Sequence, residues 1–270
     1  MTESLFTFPA IDPVAIALGP VQIRWYALAY VVGLIGGWWV MRRQIRASQS
    51  VLDNKQLDGL LNACLIGILV GGRLGYVLFY NPAAYLAAPL DILKVWEGGM
   101  SFHGGLAGVI LAILWCARSY RLRALAIGDE VALVAPLGLF FGRLANFING
   151  ELYGRVTELP IGITFPHGGP HPRHPSQLYE AALEGVLLLA CMWLFVRRGA
   201  YHWPGFLTGL FLFGYGLSRW MVEYVRQPDS HIGFVFEIGQ IGITMGQILC
   251  LPMIAMGIYA LHYGWSHKNG

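Results

Sequence analysis

Residues 59–80, GLLNACLIGILVGGRLGYVLFY, decide the fold, because one charged residue, Arg73, interrupts an otherwise predominantly apolar run. An α-helix needs about 20 consecutive apolar residues to cross the hydrocarbon core of a bilayer. A charge inside such a helix is costly unless it is paired or hydrated, and it indicates function by default. The stretch therefore predicts a membrane-spanning helix that carries a paired or functional arginine.

The composition extends this interpretation to the whole chain. Of the 270 residues, 56% are hydrophobic and 12% are charged, whereas soluble proteins carry about 25% charged residues. The net charge of +3 is scattered along the chain and does not indicate nucleic-acid binding. The four cysteines lie in apolar stretches without a CxxC pair, so they indicate neither a disulfide framework nor a zinc site.

Seven apolar stretches are long enough to span a membrane, which predicts an all-α polytopic membrane protein with seven transmembrane helices. They lie near residues 20–41, 59–80, 104–120, 126–146, 177–196, 205–225 and 239–262. The whole chain, 1–270, then forms a single integral membrane domain. Residues 147–176, between spans four and five, are rich in proline and glycine, and their alternating segment 159–165 predicts a short strand. We expect them to form a small outer, periplasmic cap.

Lysine and arginine in the short loops set the orientation of the spans. The basic residues that follow spans one, three, five and seven all fall on one side, which is then the cytoplasm: Arg42, Arg43, Arg46, Lys55, Arg118, Arg121, Arg123, Arg197, Arg198 and Lys268. The N-terminus is therefore expected outside and the C-terminus inside.

The other basic residues lie in outer loops or in the outer half of the membrane: Arg24, Arg73, Lys94, Arg143, Arg155, Arg173, Arg219 and Arg226. At a rise of 1.5 Å per residue, Arg73 and Arg219 sit roughly 21 Å above the inner boundary of a core about 30 Å thick. Tyr26, His103 and Arg143 reach the same level from three other helices. This common depth predicts a polar site near the outer face.

The densest group of polar residues is the segment 142–155, GRLANFINGELYGR, at the outer end of span four. Arginine offers a planar fork of donors suited to phosphate, and asparagine can hold a glycerol hydroxyl or a carbonyl group. The structural alternative is a helix end that reaches into the head groups, with Glu151 neutralising an arginine.

Span six carries Tyr215, Arg219 and Glu223 at intervals of four residues, with Arg226 on the same helical face. Arg219 and Glu223 can pair at this spacing. Pairing alone would be a structural role, whereas a phenol on the same face favours a polar cavity.

Histidine supplies one further candidate, His103 in the segment SFHGG at the start of span three. A lone histidine is more often structural, but its depth favours a general base or a hydrogen-bond donor. Prolines separate His167, His171 and His174, so these do not predict a metal site. No nucleophile motif or phosphate loop is visible, and we expect neither a metal nor a cofactor.

Together these residues resemble the bacterial phosphatidylglycerol–prolipoprotein diacylglyceryl transferase family. The likeness covers nearly the whole chain and is carried by Tyr26 and by the segments 72–76, 101–105, 143–155, 173–180, 219–223 and 226–229. One departure is Ala145, where the family pattern usually has glycine, and a methyl group there removes no chemical group.

The resemblance implies a multi-pass enzyme of the bacterial cytoplasmic (inner) membrane with its active site towards the periplasmic face. Such an enzyme moves the diacylglyceryl group of phosphatidylglycerol to the lipobox cysteine thiol of a preprolipoprotein. The reaction forms a thioether, releases glycerol phosphate and is the first step of lipoprotein maturation. The family residues of importance match Tyr26, His103, Arg143, Asn146, Glu151, Gly154, Tyr215, Arg219 and Glu223.

Within that reaction, we expect Arg143 and Arg219 to hold the phosphate and to stabilise the departing charge. His103 is expected to accept the thiol proton, and the alternative is a thiol activated by arginine without a histidine. Tyr26, Asn146 and Tyr215 are expected to position the lipid, and Glu151 and Glu223 to orient the arginines. Arg73 and Gly154 complete the expected substrate-binding residues.

Two other classes of protein remain as alternatives. A lipid transporter or flippase would need polar residues through the inner halves of the spans, which are almost uniformly apolar. An assembly protein with paired charges would not need phenol, amide and imidazole groups at one depth.

Overall fold

The structure is a computed structural model that describes residues 6–9, 11–19, 21–228, 233–238 and 241–268. Its long helices are α1 (Trp25–Arg46), α2 (Asn54–Phe79), α4 (Phe102–Tyr120), α5 (Ala124–Ile148), α8 (Phe206–Val222) and α9 (Met245–Ser266). A further continuous helix, Ser176–Val196, consists of α6 (Ser176–Glu180), a π-helical stretch (Ala181–Leu187) and α7 (Leu188–Val196). The short helix α3 (Pro82–Ala87) and two 3₁₀ turns (Pro89–Leu93 and Val95–Glu97) connect α2 to α4.

Short strands flank the helices. Strand β1 (Phe6–Thr7) pairs in parallel with β4 (Ile163–Thr164), whereas β2 (Val14–Leu18) with β3 (Val21–Arg24) and β5 (Phe234–Ile238) with β6 (Ile241–Thr244) form antiparallel hairpins. The strand predicted in segment 159–165 is confined to β4, because the chain turns at Leu159–Gly162, where the Gly162 N–H donates to the Leu159 carbonyl.

Within the described residues, five helices are long and apolar enough to cross a membrane: α2, α4, α5, Ser176–Val196 and α9. This confirms a mostly helical, polytopic membrane protein. The other two predicted spans correspond to α1, whose tryptophan, tyrosine and glycine residues lower its mean hydropathy, and to α8, which has 17 residues. The total of seven spans stays a prediction.

Two predicted span boundaries were wrong. Span one was placed from residue 20 and span seven from residue 239; residues 20, 239 and 240 lie outside the described part, and the next residues form β3 and β6. Alternation of side chains in 21–24 and 241–244 favours strand over helix. Thr244 then caps α9, because its hydroxyl accepts from the Gln247 N–H while Gln247 accepts from the Thr244 N–H.

The chain divides into two compact units, with boundaries between Val40 and Met41 and between Gly128 and Asp129. In the smaller unit, 41–128, α2 and α4 pack closely. A Cβ added to Gly67 or Gly108 would collide with the backbone of the opposite helix, so glycine at these positions permits the contact.

In the larger unit, buried apolar side chains of α5, α7 and α8 form a core around Leu133, Met192 and Leu207. Asp129, near the start of α5, is also buried. Its carboxylate accepts hydrogen bonds from the Gly205 N–H at 2.7 Å and from the Thr208 N–H at 2.7 Å. Asp129 therefore holds the N-terminus of α8, where the orphan N–H groups of a helix need acceptors.

Candidate active site

The candidate site is built around Glu180, whose carboxylate on α6 is fully buried. Its Oε2 lies 2.9 Å from Nε of Arg143 on α5, and its Oε1 lies 2.5 Å from Nη1 of Arg219 on α8. Nη1 of Arg226 approaches the same Oε1 at 3.2 Å. One carboxylate thus gathers guanidinium groups from three segments of the chain.

Two further carboxylates complete this arginine–glutamate cluster, which consists of Arg143, Arg219, Arg226, Glu180, Glu184 and Glu223. Glu184 lies 3.3 Å from Nη2 of Arg143, and Glu223 lies 2.9 Å from Nη2 of Arg219. The Thr244 hydroxyl donates to Glu223 at 3.0 Å. The charges balance, as burial of ionised groups requires, and the predicted pair of Arg219 with Glu223 is confirmed.

The arginine side chains of the cluster are more exposed to solvent than its glutamate side chains. The side chains of Arg143 and Arg219 are 15% and 16% exposed, whereas those of Glu180 and Glu184 are 0% exposed. Each of the two arginines directs two nitrogen atoms to carboxylates, and the Arg143 Nε–H is close to Glu180 without being aligned as a hydrogen bond. A guanidinium has five N–H donors, so both arginines retain donors for an anion.

The motif that follows α5 is held by amide groups. The side chains of Asn146 and Asn149 donate to the same oxygen of Glu151, at 2.8 Å and 3.3 Å, and Gln177 donates to the Glu151 main-chain carbonyl at 2.6 Å. The expectation that Glu151 orients an arginine is corrected here: the side-chain partners that the described structure gives this carboxylate are the two asparagines. Its acceptor atom is already taken by neutral donors of its own segment.

Gly154 fits a position where a side chain has no room. Its N–H donates to the His174 carbonyl at 2.8 Å, and an added Cβ would lie 2.5 Å from the Val225 carbonyl oxygen. Next to it, Arg155 donates to the main-chain carbonyls of Arg226 and Glu223, at 2.9 Å and 3.2 Å. Gly154 therefore fastens the motif to the end of α8, where Glu223 and Arg226 enter the cluster.

The phenols predicted for the site lie in the same unit as the cluster. Tyr215 precedes Arg219 by about one helical turn on α8. Its phenol interacts electrostatically with the guanidinium groups of Arg143 and Arg219. On α1, the Tyr30 hydroxyl donates to the Tyr26 hydroxyl at 3.4 Å, and the charges of Arg143 and Glu151 act on Tyr30.

The guanidinium of Arg73 is fully hydrogen-bonded to main-chain carbonyls of the smaller unit. It donates to five main-chain carbonyls at 2.5–3.2 Å, those of Asp91, Ile92, Lys94, Gly98 and Gly99. The Arg73 residue is only 4% exposed, and its guanidinium lies over the Tyr85 ring. The prediction that Arg73 binds substrate is therefore corrected: all five N–H donors hold the 3₁₀ segment between α3 and α4.

His103 is exposed in the first turn of α4, with its ring edge-on to Phe102. The preceding Ser101 caps this helix, because its hydroxyl accepts from the Gly104 N–H at 3.2 Å. His103 belongs to the smaller unit, and its role as a base stays a prediction from the sequence.

Two histidines of the segment 147–176 make local contacts. Burial lowers the pKa of His174, and its Nδ1 lies 3.2 Å from the Tyr179 hydroxyl. His167 accepts a hydrogen bond from Tyr153 through its main-chain carbonyl. Within the described ranges, no three histidine, cysteine, aspartate or glutamate side chains are grouped as metal ligands.

Sequence reasoning missed Glu180 and Glu184 as site residues. The signal was present, because both carboxylates interrupt the apolar stretch 177–196 and several arginines at that depth need partners. The π-helical stretch that begins at Ala181 was also not predicted, although such bulges are frequent at functional sites.

Comparison with known proteins gives one consistent result. Residues 13–263 match the family model for prolipoprotein diacylglyceryl transferase. The phosphatidylglycerol–prolipoprotein diacylglyceryl transferase of Rhodospirillum rubrum is 58% identical over 254 residues, which are 93% of this chain and 91% of the relative. The proteins of the same name from Nitratidesulfovibrio vulgaris and Methylocella silvestris are each 49% identical, over 96% and 98% of this chain and 97% of either relative.

Proposed function

The chain belongs to the prolipoprotein diacylglyceryl transferase family, and we propose that it transfers the diacylglyceryl group of phosphatidylglycerol to the cysteine thiol of a preprolipoprotein. The structural observation that supports this reaction most directly is the convergence of Arg143 and Arg219 on opposite oxygens of one buried carboxylate. Two guanidinium groups held this close can both donate hydrogen bonds to one phosphate.

The arginines act on the group that leaves. The thiolate sulfur of the acceptor cysteine attacks the glycerol carbon of the lipid, and the bond between that carbon and the phosphate oxygen breaks. Glycerol phosphate departs with the bonding electrons and gains negative charge. Arg143 and Arg219, which retain free donors, stabilise that charge as an oxyanion site does.

The buried carboxylates keep the arginines in place before the lipid arrives. Glu180 and Glu184 fix Arg143, and Glu180 and Glu223 fix Arg219. Preorganisation of this kind lowers the cost of reorganising charged groups during the reaction. Asn146, Tyr26 and Tyr215 position the lipid, and the Glu151 carboxylate orients the amide of Asn146.

The proton of the thiol goes to His103 in this proposal. A thiol must become a thiolate to attack carbon, and an imidazole near neutral pH is suited to take the proton. His103→Gln should then lower the transfer rate at neutral pH, and this loss should shrink as the pH rises and the thiol ionises by itself. A near-normal rate at neutral pH would leave the rival, an arginine-activated thiol, as the mechanism.

The membrane arrangement is part of the proposal. Helices α1 and α8 supply spans one and six and bring the total to seven, the N-terminus lies outside, and residues 147–176 form a periplasmic cap. The support is the one-sided distribution of basic residues after spans one, three, five and seven. The site then faces the periplasmic side of the bacterial cytoplasmic membrane, where the lipobox of the peptide becomes accessible.

The decisive experiment incubates the purified protein with phosphatidylglycerol vesicles and a lipobox peptide, and detects the thioether product by mass spectrometry. Arg143→Lys keeps the charge but loses the planar fork of donors, and it should lower turnover strongly. Arg197→Ala, an exposed arginine after α7, is the matched control and should keep the wild-type rate. A protein that moves the lipid without forming a thioether would be a transporter, and full activity of Arg143→Lys would exclude a bidentate phosphate clamp.

A further inference from the structure

The Glu223 carboxylate, at the C-terminal end of α8, lies against the N-terminal turn of α9. A negative charge is unfavourable at the C-terminal end of its own helix, whereas the N-terminal end of another helix stabilises it. Thr244, which caps α9, and Gly246, in its first turn, both adjoin this carboxylate. We propose that Thr244 and Gly246 are positioning residues that orient Glu223, and through it Arg219, towards the leaving phosphate, an inference that rests on the proposed function.

The two oxygen atoms of the Glu223 carboxylate have different partners. Oε1 accepts the hydrogen bond from the Thr244 hydroxyl at 3.0 Å, and Oε2 lies 2.9 Å from Nη2 of Arg219. Rotation about the last side-chain bond of glutamate is soft, so the plane of the carboxylate is set by its hydrogen bonds. Thr244 and Glu223 are only 2% and 5% exposed, so water has little access to replace the hydroxyl. The Thr244 hydroxyl therefore determines how Oε2 faces Arg219.

Thr244 is itself held in place by the surrounding backbone. Its hydroxyl oxygen accepts from the Gln247 N–H at 3.3 Å, which leaves its single proton for Glu223. In the β5–β6 hairpin Thr244 pairs with Phe234, whose ring centroid lies 5.1 Å from the guanidinium carbon of Arg155. Because Arg155 donates to the Glu223 main-chain carbonyl, connected contacts hold both the main chain and the side chain of Glu223.

Glycine at position 246 leaves room for the carboxylate. A Cβ added there would lie 2.9 Å from both Cδ and Oε1 of Glu223 and 3.1 Å from its Oε2. These atoms form the end of a flexible side chain, so alanine would displace the carboxylate and not the backbone. Alanine is also the stronger helix former. Gly246→Ala should therefore move Glu223 away from its position beside Arg219 without lowering the stability of the protein.

The first experiment measures transfer kinetics with phosphatidylglycerol vesicles and a lipobox peptide, together with the thermal midpoint in detergent. Gly246→Ala should lower kcat about tenfold, the scale of one hydrogen bond to a charged group. The KM for phosphatidylglycerol should not rise, because no charge is removed, and the midpoint should not fall. Gly36→Ala is the matched control: this glycine lies inside α1, an added Cβ would meet nothing within 4 Å, and kcat should stay at the wild-type value.

The second experiment removes the hydroxyl group. Thr244→Val keeps the shape of the side chain and should lower kcat about tenfold. It should also lower the midpoint, because α9 loses its cap. Thr244→Ser retains a hydroxyl and should recover most of both losses. Asp53→Ala is the control for capping, since Asp53 and Gln56 form the same kind of capping box at the start of α2; it should lower the midpoint and keep kcat.

The outcomes separate the positioning role from the proposed function. If the wild-type protein forms no thioether, the proposed function fails. If the wild type is active and Gly246→Ala keeps its kcat, or Thr244→Ser is as slow as Thr244→Val, the start of α9 does not position the site. Equal losses of kcat in Asp53→Ala and Thr244→Val would also overturn the inference, because loss of a helix cap would then account for the slower transfer.

Discussion

Neutralising Glu180 tests whether the cluster is organised around one carboxylate. Glu180→Gln keeps the shape of the side chain but leaves Arg143, Arg219 and Arg226 with two carboxylates, so that one buried positive charge loses its counter-ion. Removing one partner of a buried ion pair costs about 3–5 kcal/mol. Glutamine retains one acceptor oxygen, so we expect a loss of about 3 kcal/mol in the free energy of unfolding. At about 2–4 °C per kcal/mol, the thermal midpoint should fall by about 6–12 °C.

The kinetic effect of Glu180→Gln has a distinctive sign. Turnover should fall, because Arg143 and Arg219 lose the carboxylate that fixes their relative position. The KM for phosphatidylglycerol should not rise, because the site becomes more positive towards an anionic lipid.

Tryptophan fluorescence during heating in detergent gives the midpoint, and initial rates in mixed micelles give the kinetic constants. Glu184→Gln is the control, since Glu184 is equally buried on the same helix but forms one ion pair, with Arg143. Equal losses for the two variants, or an unchanged midpoint for Glu180→Gln, would refute the central role of Glu180.

Three further substitutions test single contacts. Asp129→Ala removes the acceptor at the start of α8 and should lower the unfolding free energy by about 2 kcal/mol, as measured by the thermal midpoint; an unchanged midpoint would contradict the capping role. Gly154→Ala should abolish most of the transfer activity, because its Cβ would lie 2.5 Å from a carbonyl oxygen, whereas Gly138→Ala, with nothing within 4 Å, should retain activity. Arg73→Gln should accelerate hydrogen exchange in residues 89–99, because glutamine cannot replace five donors; unchanged exchange would show that this segment is held by other contacts.

Much of the fold follows from the sequence because span length is set by the bilayer. The stretch 59–80 coincides with the greater part of α2, and the predicted ends of α4 and of Ser176–Val196 differ from the observed ends by a few residues at most. The errors fall at 21–24 and 241–244, where hydropathy continues but the side chains alternate. Hydropathy measures solvation by lipid and does not distinguish a strand from a helix at the edge of a span.

The carboxylates at the start of α5 show a second limit of prediction. Asp129 and Glu130 interrupt the apolar pattern near the start of span four, where carboxylates are costly unless they are paired. In the structure the Asp129 carboxylate is satisfied by the N-terminus of α8, about 76 residues further along the chain. A local pattern cannot reveal a partner that only tertiary packing brings near.

The candidate site was found from depth and residue type, and the pairing within it was not. The sequence placed Arg143 and Arg219 at one level, put Tyr215 on the same helical face as Arg219, and predicted the pair of Arg219 with Glu223, because that pair is local. Glu180 was overlooked, since its partners lie on α5, on α8 and beyond the end of α8. Identifying such counter-ions requires the helix contacts themselves.

Arginines at the same depth in the membrane differ in how many of their N–H donors are not already bound by acceptors of the protein. Arg73 and Arg219 have the same calculated height in the membrane, yet Arg73 directs all five N–H groups to carbonyls, while Arg219 directs two nitrogen atoms to carboxylates and stays partly exposed. A saturated guanidinium cannot bind an anion without breaking the segment that it holds, whereas an unsaturated one can. Arg73→Lys should therefore loosen residues 89–99 without altering the KM for phosphatidylglycerol. The same change at Arg219 should alter lipid kinetics, because the ammonium group keeps the charge and loses the fork of donors that the phosphate requires.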